Sequence, residues 1–306
     1  MTYQRFTVLE RENSPGGAAT PHGGLRSPLL TRIAVRLDNG RCGADDLEVV
    51  DAVERFTALV AGSEPDLDRG ALAIAAGADP DLDTDRWLRE LDRLAEGVGR
   101  LEELLHRLFV EEGFSGDTRR YYDPRNSLLD RVLARKLGIP ITLSVVCLEV
   151  GRRAGVPLEG VGMPGHFLLR PVDGERYVDA FAGGALLDLA GCEALFRSAT
   201  GAGADVAFGP HLLGTASTGD ILARILQNLR VVHRRSGRPA EVEWVLRMLL
   251  ALPGAGAAEV SELGGMLGQQ GRFLDGAAVL ESGAQQFPQH AEALGYAARG
   301  LRARLN

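Results

Sequence analysis

The chain reads as an α+β protein: a helix packed on an antiparallel sheet, preceded by helices and followed by a helical, repeat-like region. Three observations predict this class. Apolar residues recur at helical spacing before residue 112 and again after residue 220. Between them a helical run from Pro140 stops at Gly155 and Pro157. Short β-type segments follow, His166-Phe-Leu-Leu-Arg170 and Arg176-Tyr-Val-Asp179, around a Pro-Val-Asp-Gly turn signal.

The N-terminal stretch 1–28 is rich in Gly, Pro, Ser and Thr and is expected to be flexible. A helical region is expected over 29–112. Leu47, Val50, Val53, Phe56 and Leu59 mark one helix face, and Leu72 to Ala76 forms a short apolar piece before the breaker GADPDLD. Asp83 or Thr84 then caps a helix written DRWLRELDRLAEGVGRLEELLHRLF, with Trp87, Leu88, Leu91, Leu94 and Val98 as its buried stripe. The sheet-bearing core is expected over 113–200, and a Gly-, Ala- and Thr-rich linker over 201–219. Residues 220–306 are helical again. QQGRFLDGAAVLESGAQQFPQ has the turn, small residues and terminal proline of a tetratricopeptide half, with AEVEWVLRMLLALPG as a weaker copy.

Composition excludes several functions. With 306 residues and a net charge of −7, the chain has a core of ordinary size and no broad basic surface for nucleic acid. Three widely spaced cysteines, Cys42, Cys147 and Cys192, suit a reducing compartment, and no Cys/His spacing fits zinc. The six histidines form no HxxxH or HExxH pattern, and no phosphate loop or dinucleotide fingerprint is present, so neither metal nor cofactor is expected. The N-terminus lacks the apolar segment of a signal peptide, and no run approaches the ~18 apolar residues of a membrane span. The expectation is a cytoplasmic protein with no membrane or nucleic-acid partner.

Helical phase divides the run from Pro140. Glu149, Arg152 and Arg153 define a wet face with Thr142 beside them, while Pro140, Ser144, Cys147 and Gly151 face the core. A buried Cys147 is an inert small hydrophobe. In the hairpin, an Asp173-Gly174 loop, which has the signal of a type I′ turn, sets Leu168 opposite Asp179 with His166 diagonal to it, and a Val172-Asp173 loop sets His166 opposite Asp179 directly. Either register brings the imidazole and the carboxylate to one face. Such a pair is the base-plus-orienter half of a catalytic triad, and it is also a common structural pairing.

YYDPRNSLL, GIPITLS, EVGRRAGVPLEGVGMPGHFLLR and YVDAFAGG together resemble the SirB family, bacterial proteins with a transglutaminase-like core and a C-terminal tetratricopeptide-type region. The resemblance runs from about Asp66 to about Phe287. It implies a papain/transglutaminase-like core, in which the wider superfamily places a Cys at a helix N-terminus and a His and an Asp on adjacent strands. By motif, His166 of PGHF matches that His and Asp179 of YVDAF that Asp. The Cys position falls near Pro140 to Thr142, where this chain has no Cys, and SirB-type members are similar in lacking it.

Two hydroxyls stand near that position. Thr142 and Ser144 are candidate nucleophiles for a His166 base; equally, Thr142 fits as a helix cap and Ser144 as a small packing residue. Asn126 fits a role in orienting a substrate amide or a cap. Tyr122 and Arg125, with Tyr121 and Asp123, form a polar aromatic cluster that fits a cleft wall, or Arg125–Asp123 is an ordinary loop ion pair. Gly165 lets the backbone approach a ligand or serves a tight turn. Two functions follow: an enzyme acting on an amide, ester or thioester carbonyl of a peptide, protein or small acyl substrate, or a pseudoenzyme that binds a peptide or protein without turnover.

Overall fold

A computed structural model describes residues 44–62 and 65–305. The expected flexible stretch 1–28, the start of the helical region from residue 29, and Cys42 lie outside the described residues. The chain divides into two compact units. Within the described residues the first comprises 89–121 and 135–217, and the second the remainder.

Helices α1 (Ala44–Val60), α2 (Leu67–Ala76), α3 (Thr84–Ala95) and α4 (Leu101–His106) come first. The last continues as a π turn over Arg107–Glu111. Strand β1 (Ser115–Gly116), a 3-10 turn (Pro124–Asn126), α5 (Leu129–Arg135) and β2 (Leu137–Gly138) lead to α6 (Pro140–Ala154). Strands β3 (Leu158–Val161), β4 (Leu168–Pro171), β5 (Tyr177–Asp179) and β6 (Ala185–Leu187) precede α7 (Leu189–Thr200). After β7 (Thr215–Ala216) come α8 (Thr218–Arg235), α9 (Pro239–Ala251), α10 (Ala257–Gln269), α11 (Phe273–Gln286) and α12 (Ala291–Arg302). The architecture is α+β with a helical C-terminal region.

The first unit is built on a five-stranded antiparallel sheet in the order β6-β5-β4-β3-β7. Val161, Met163, Leu168, Cys192, Phe196 and Leu213 form one buried cluster, which seats α7 on the sheet. Helix α6 packs on β3 and β4. Its first two turns read PITLSVV, apolar nearly all round, and Pro140 through Cys147 are buried without interruption. Gly155 at φ +70° ends it, and the Val156 N–H returns to the Gly151 carbonyl at 2.8 Å.

Three sequence expectations are corrected here. The long helix expected from Asp85 breaks over 96–100, because Gly97 turns left-handed at φ +72° and the Gly99 N–H is drawn to the Glu103 carboxylate at 3.0 Å. Its start is as expected, since Asp83 accepts from the Arg86 N–H at 3.0 Å. The 201–219 linker contributes β7, an edge strand paired with β3 at Gly160–Ala216 and Val161–Thr215. The hairpin takes the first of the two registers, Leu169 opposite Val178, but not through a type I′ turn. Gly174 instead closes a turn back to the Pro171 carbonyl at 3.0 Å, and neither Asp173 nor Gly174 has the positive φ that type I′ requires.

In the second unit glycines let helices approach closely. A side chain at Gly264 of α10 would run into Leu280 of α11, and one at Gly283 of α11 into Val260 of α10. Arg247 of α9 is 2 % exposed and is held by Glu243 at 2.9 Å, whose other oxygen takes Arg272 at 2.7 Å.

Candidate active site

His166 is delivered to its place by a turn. Pro164 and Gly165 stand at the centre of Met163–His166, closed by the His166 N–H to the Met163 carbonyl at 3.2 Å. Gly165 has φ +77°, the left-handed value that the third position of a type II turn needs. Its open face is filled by α7: a Cβ there would lie 3.0 Å from Ala199 and Thr200. The close approach at Gly165 therefore serves packing inside the unit.

Asp179 ends β5, and the following Ala-Phe-Ala-Gly-Gly folds back around it. Its Oδ1 accepts from the backbone N–H groups of Phe181 at 3.0 Å and Ala182 at 3.3 Å, while its carbonyl accepts from Gly184 at 2.9 Å. Gly183 and Gly184, at φ +71° and +80°, supply two successive left-handed residues for this turn. The carboxylate is thus fixed by main chain before any side chain reaches it.

With Leu169 opposite Val178, the register sets Leu168 beside Asp179 and His166 on the diagonal. The imidazole spans that diagonal, and His166 Nε2 lies 2.9 Å from Asp179 Oδ1. The two side chains are 9 % and 7 % exposed. A carboxylate oxygen only accepts, so Nε2 is the donor. The Phe181 ring stands edge-on to the imidazole at 6.1 Å, and Tyr121 stands edge-on to Phe181 at 6.0 Å. The sequence reading did not single out Phe181. Its signal was the two-residue spacing from Asp179.

The first turns of α6 are arranged differently. Thr142 is 1 % exposed, which corrects its expected place beside a wet face. Its Oγ1 accepts from the Ile139 N–H at 3.2 Å and donates to the Ile139 carbonyl at 3.2 Å, so it closes the helix N-terminus. Ser144 is wholly buried, and its Oγ has no hydrogen-bond partner among the described residues. Glu149, also expected on the wet face, is 3 % exposed and gripped by Arg152 at 2.8 Å and Arg153 at 2.6 Å. Helical phase separates faces, but it does not reveal that both faces of a helix are covered.

Burial pushes the Cys147 thiol up to about 12. Burial, reinforced by the Asp188 and Asp179 carboxylates, raises that of Cys192 to about 11. Neither is a thiolate at neutral pH.

Asn126, Tyr122 and Arg125 belong to the second unit. Asn126 is wholly buried, Tyr122 lies under the Arg235 guanidinium at 4.2 Å, and Arg125 pairs with Asp123 at 2.6 Å. Thus His166, Asp179, Gly165, Thr142 and Ser144 share one unit, and a hydrogen bond joins His166 to Asp179. Among the described residues there is no cluster of three or more His, Cys, Asp or Glu arranged for a metal ion, and no helix long and apolar enough to cross a membrane.

A family model described as transglutaminase-like superfamily matches residues 69–227, just over half of the chain. The chain belongs to the transglutaminase-like superfamily. The matched span contains both members of the His–Asp pair and all of α6. Among curated proteins, the chain is 34 % identical over 221 residues to a UPF0162 protein of Pseudomonas aeruginosa, covering 69 % of this chain and 80 % of that one. It is 46 % identical over 134 residues to a UPF0162 protein of Xylella fastidiosa, covering 43 % of this chain and 48 % of the relative, about half of that protein's length. A 147-residue stretch is 33 % identical to human F-box only protein 21, covering 45 % of this chain and 22 % of that protein. No solved structure matches the chain.

Proposed function

We propose that this transglutaminase-like protein hydrolyses or transfers an acyl group at an amide, ester or thioester carbonyl, with His166 as general base and Asp179 as its orienter. The observation that carries this reading is the 2.9 Å bond from His166 Nε2 to a carboxylate oxygen already held by two backbone N–H groups. In the hydrolytic form, Nδ1 takes a proton from water as the water oxygen bonds to the carbonyl carbon. The resulting imidazolium is stabilised by Asp179 and returns the proton to the departing amine, alcohol or thiol. Water fits this site better than a protein hydroxyl, because Thr142 is committed to the helix cap and Ser144 is enclosed.

The same reading extends to finer points. The motifs quoted above support placing the chain with SirB-type proteins, treating its helical C-terminal region as tetratricopeptide-like, and assigning it to the cytoplasm. Its partner would be a peptide, a protein or a small acyl or amide compound.

A second reading has its own support. With no Cys near the start of α6 and both hydroxyls enclosed, the site suits binding of a peptide without turnover. A panel of activated esters, thioesters and peptide amides separates the two. Under the first reading wild-type protein turns over a member of the panel, and His166→Ala lowers the rate by roughly 10²–10⁴-fold. Saturable peptide binding weakened by His166→Ala, with no turnover of any member, decides for the second.

A further inference from the structure

We infer that Phe181 is a positioning residue of this site: it holds the His166 imidazole in the single orientation that faces Asp179, and Gly116 exists to seat its ring. The inference rests on the His166–Asp179 reading and adds a residue that acts on both members at once. Through its backbone, Phe181 donates to Asp179 Oδ1 at 3.0 Å, the same oxygen that takes His166 Nε2. Through its ring, it presents an edge to the imidazole at 6.1 Å with the planes 81° apart. Aromatic rings prefer this perpendicular approach, so the contact has directional preference as well as bulk.

The ring has two further neighbours. Tyr121 meets it at 6.0 Å with the planes 69° apart. The backbone of Gly116, in β1, also lies against it, so close that a Cβ there would stand 2.6 Å from two ring carbons. Real Cβ atoms do not approach that closely. Gly116 has no positive φ to explain it, so the glycine is required by the ring and not by the turn of the chain. Phe181 is 9 % exposed. Displacing the ring would remove its edge contact with the imidazole and loosen the hold of the Nε2-bonded tautomer, even with Asp179 unchanged.

Nitrogen NMR of the His166 imidazole in the full chain tests this without any substrate. Wild-type protein should show two widely separated ring-nitrogen signals, those of one tautomer with the hydrogen on Nε2. Phe181→Leu should move the two signals toward each other as tautomers average, and Phe181→Tyr should restore the wild-type pattern. Gly116→Ala, which crowds the ring, should reproduce the Leu pattern. Tyr121→Leu, which removes the ring's other neighbour, should shift the signals in the same direction by less. This variant decides the matter should the first two fail to fold.

Where a substrate is turned over, Phe181→Leu should lower kcat roughly three- to tenfold with KM little changed. Unaltered nitrogen signals in folded Phe181→Leu, Gly116→Ala or Tyr121→Leu protein would overturn the inference while leaving the carbonyl reading intact. Averaged signals in these variants, together with a wild type inert toward the whole panel, would uphold the positioning role and remove the acyl chemistry.

Discussion

His166 and His233 are both buried, at 8 % and 4 % exposure, yet one unit bonds its histidine to a carboxylate and the other leaves its histidine's ring nitrogens without a hydrogen-bond partner among the described residues. His166 bonds a carboxylate whose position is set by main chain. His233, on α8, has no hydrogen-bond partner at either ring nitrogen among the described residues and lies edge-on to Trp244 at 6.2 Å. Burial lowers its pKa from the ordinary 6.5; Glu241 works against that shift and Arg238 adds to it. Burial alone therefore does not set the two histidines apart. A carboxylate partners the first ring, whereas burial disfavours a charge on the second.

The largest expected effect breaks the partnered member. Asp179→Asn keeps the shape of the side chain but offers an amide nitrogen in place of an acceptor oxygen, which favours the wrong tautomer. Turnover of any substrate found should fall by about 10²–10⁴-fold while far-UV circular dichroism stays unchanged. A change at the other end of the comparison, His233→Gln, should leave turnover alone.

The next effect sharpens the unpartnered member. As pH falls through about 6.5, unfolded chains take up a proton at residue 233 that the folded unit refuses, so stability fades toward acid by up to about 1.4 kcal/mol per pH unit. Above that range His233 is neutral in both states and contributes no pH dependence. Urea unfolding followed by tryptophan fluorescence between pH 7.5 and 5 should show this slope in wild-type protein and a shallower one in His233→Phe. Equal slopes would mean that His233 accepts its proton in the folded state.

Smaller effects concern α6, where the two hydroxyls contrast in the same way. Thr142→Ala removes the bond that caps the helix and should cost about 1 kcal/mol in urea unfolding. Ser144→Ala removes a hydroxyl without a described partner and should be neutral within about 0.5 kcal/mol, or stabilising. A loss at Ser144 as large as that at Thr142 would reveal a partner for its Oγ. Last, native-state labelling by a thiol reagent should be slow at both Cys147 and Cys192, since neither thiol ionises readily.

The pairing at the site was legible in the chain because β-strands alternate with a fixed period. Given any even loop, His166 and Asp179 fall on one face, so the conclusion survived an error in turn type at Asp173-Gly174. The stop at Gly155 and the cap at Asp83 were legible for the same reason, each being a local rule met by local residues. What was not legible depends on neighbours distant in sequence. Thr142 and Glu149 sit where phase predicts water, but covering elements bury them, and Arg152 and Arg153 compensate the buried Glu149. Phe181 acquires its role only when β1 brings Gly116 beneath its ring.

The central claim is that His166, held by Asp179, acts on a carbonyl without a covalent protein nucleophile. Rapid-quench kinetics with an activated thioester, read by intact-protein mass, tests it most directly. The account predicts product release by wild-type protein with no acyl adduct at any time point, a rate unchanged in the Thr142→Ala/Ser144→Ala double variant, and a large loss in Asp179→Asn. An acyl adduct that maps to Ser144 or Thr142, or an Asp179→Asn rate equal to wild type, would contradict it.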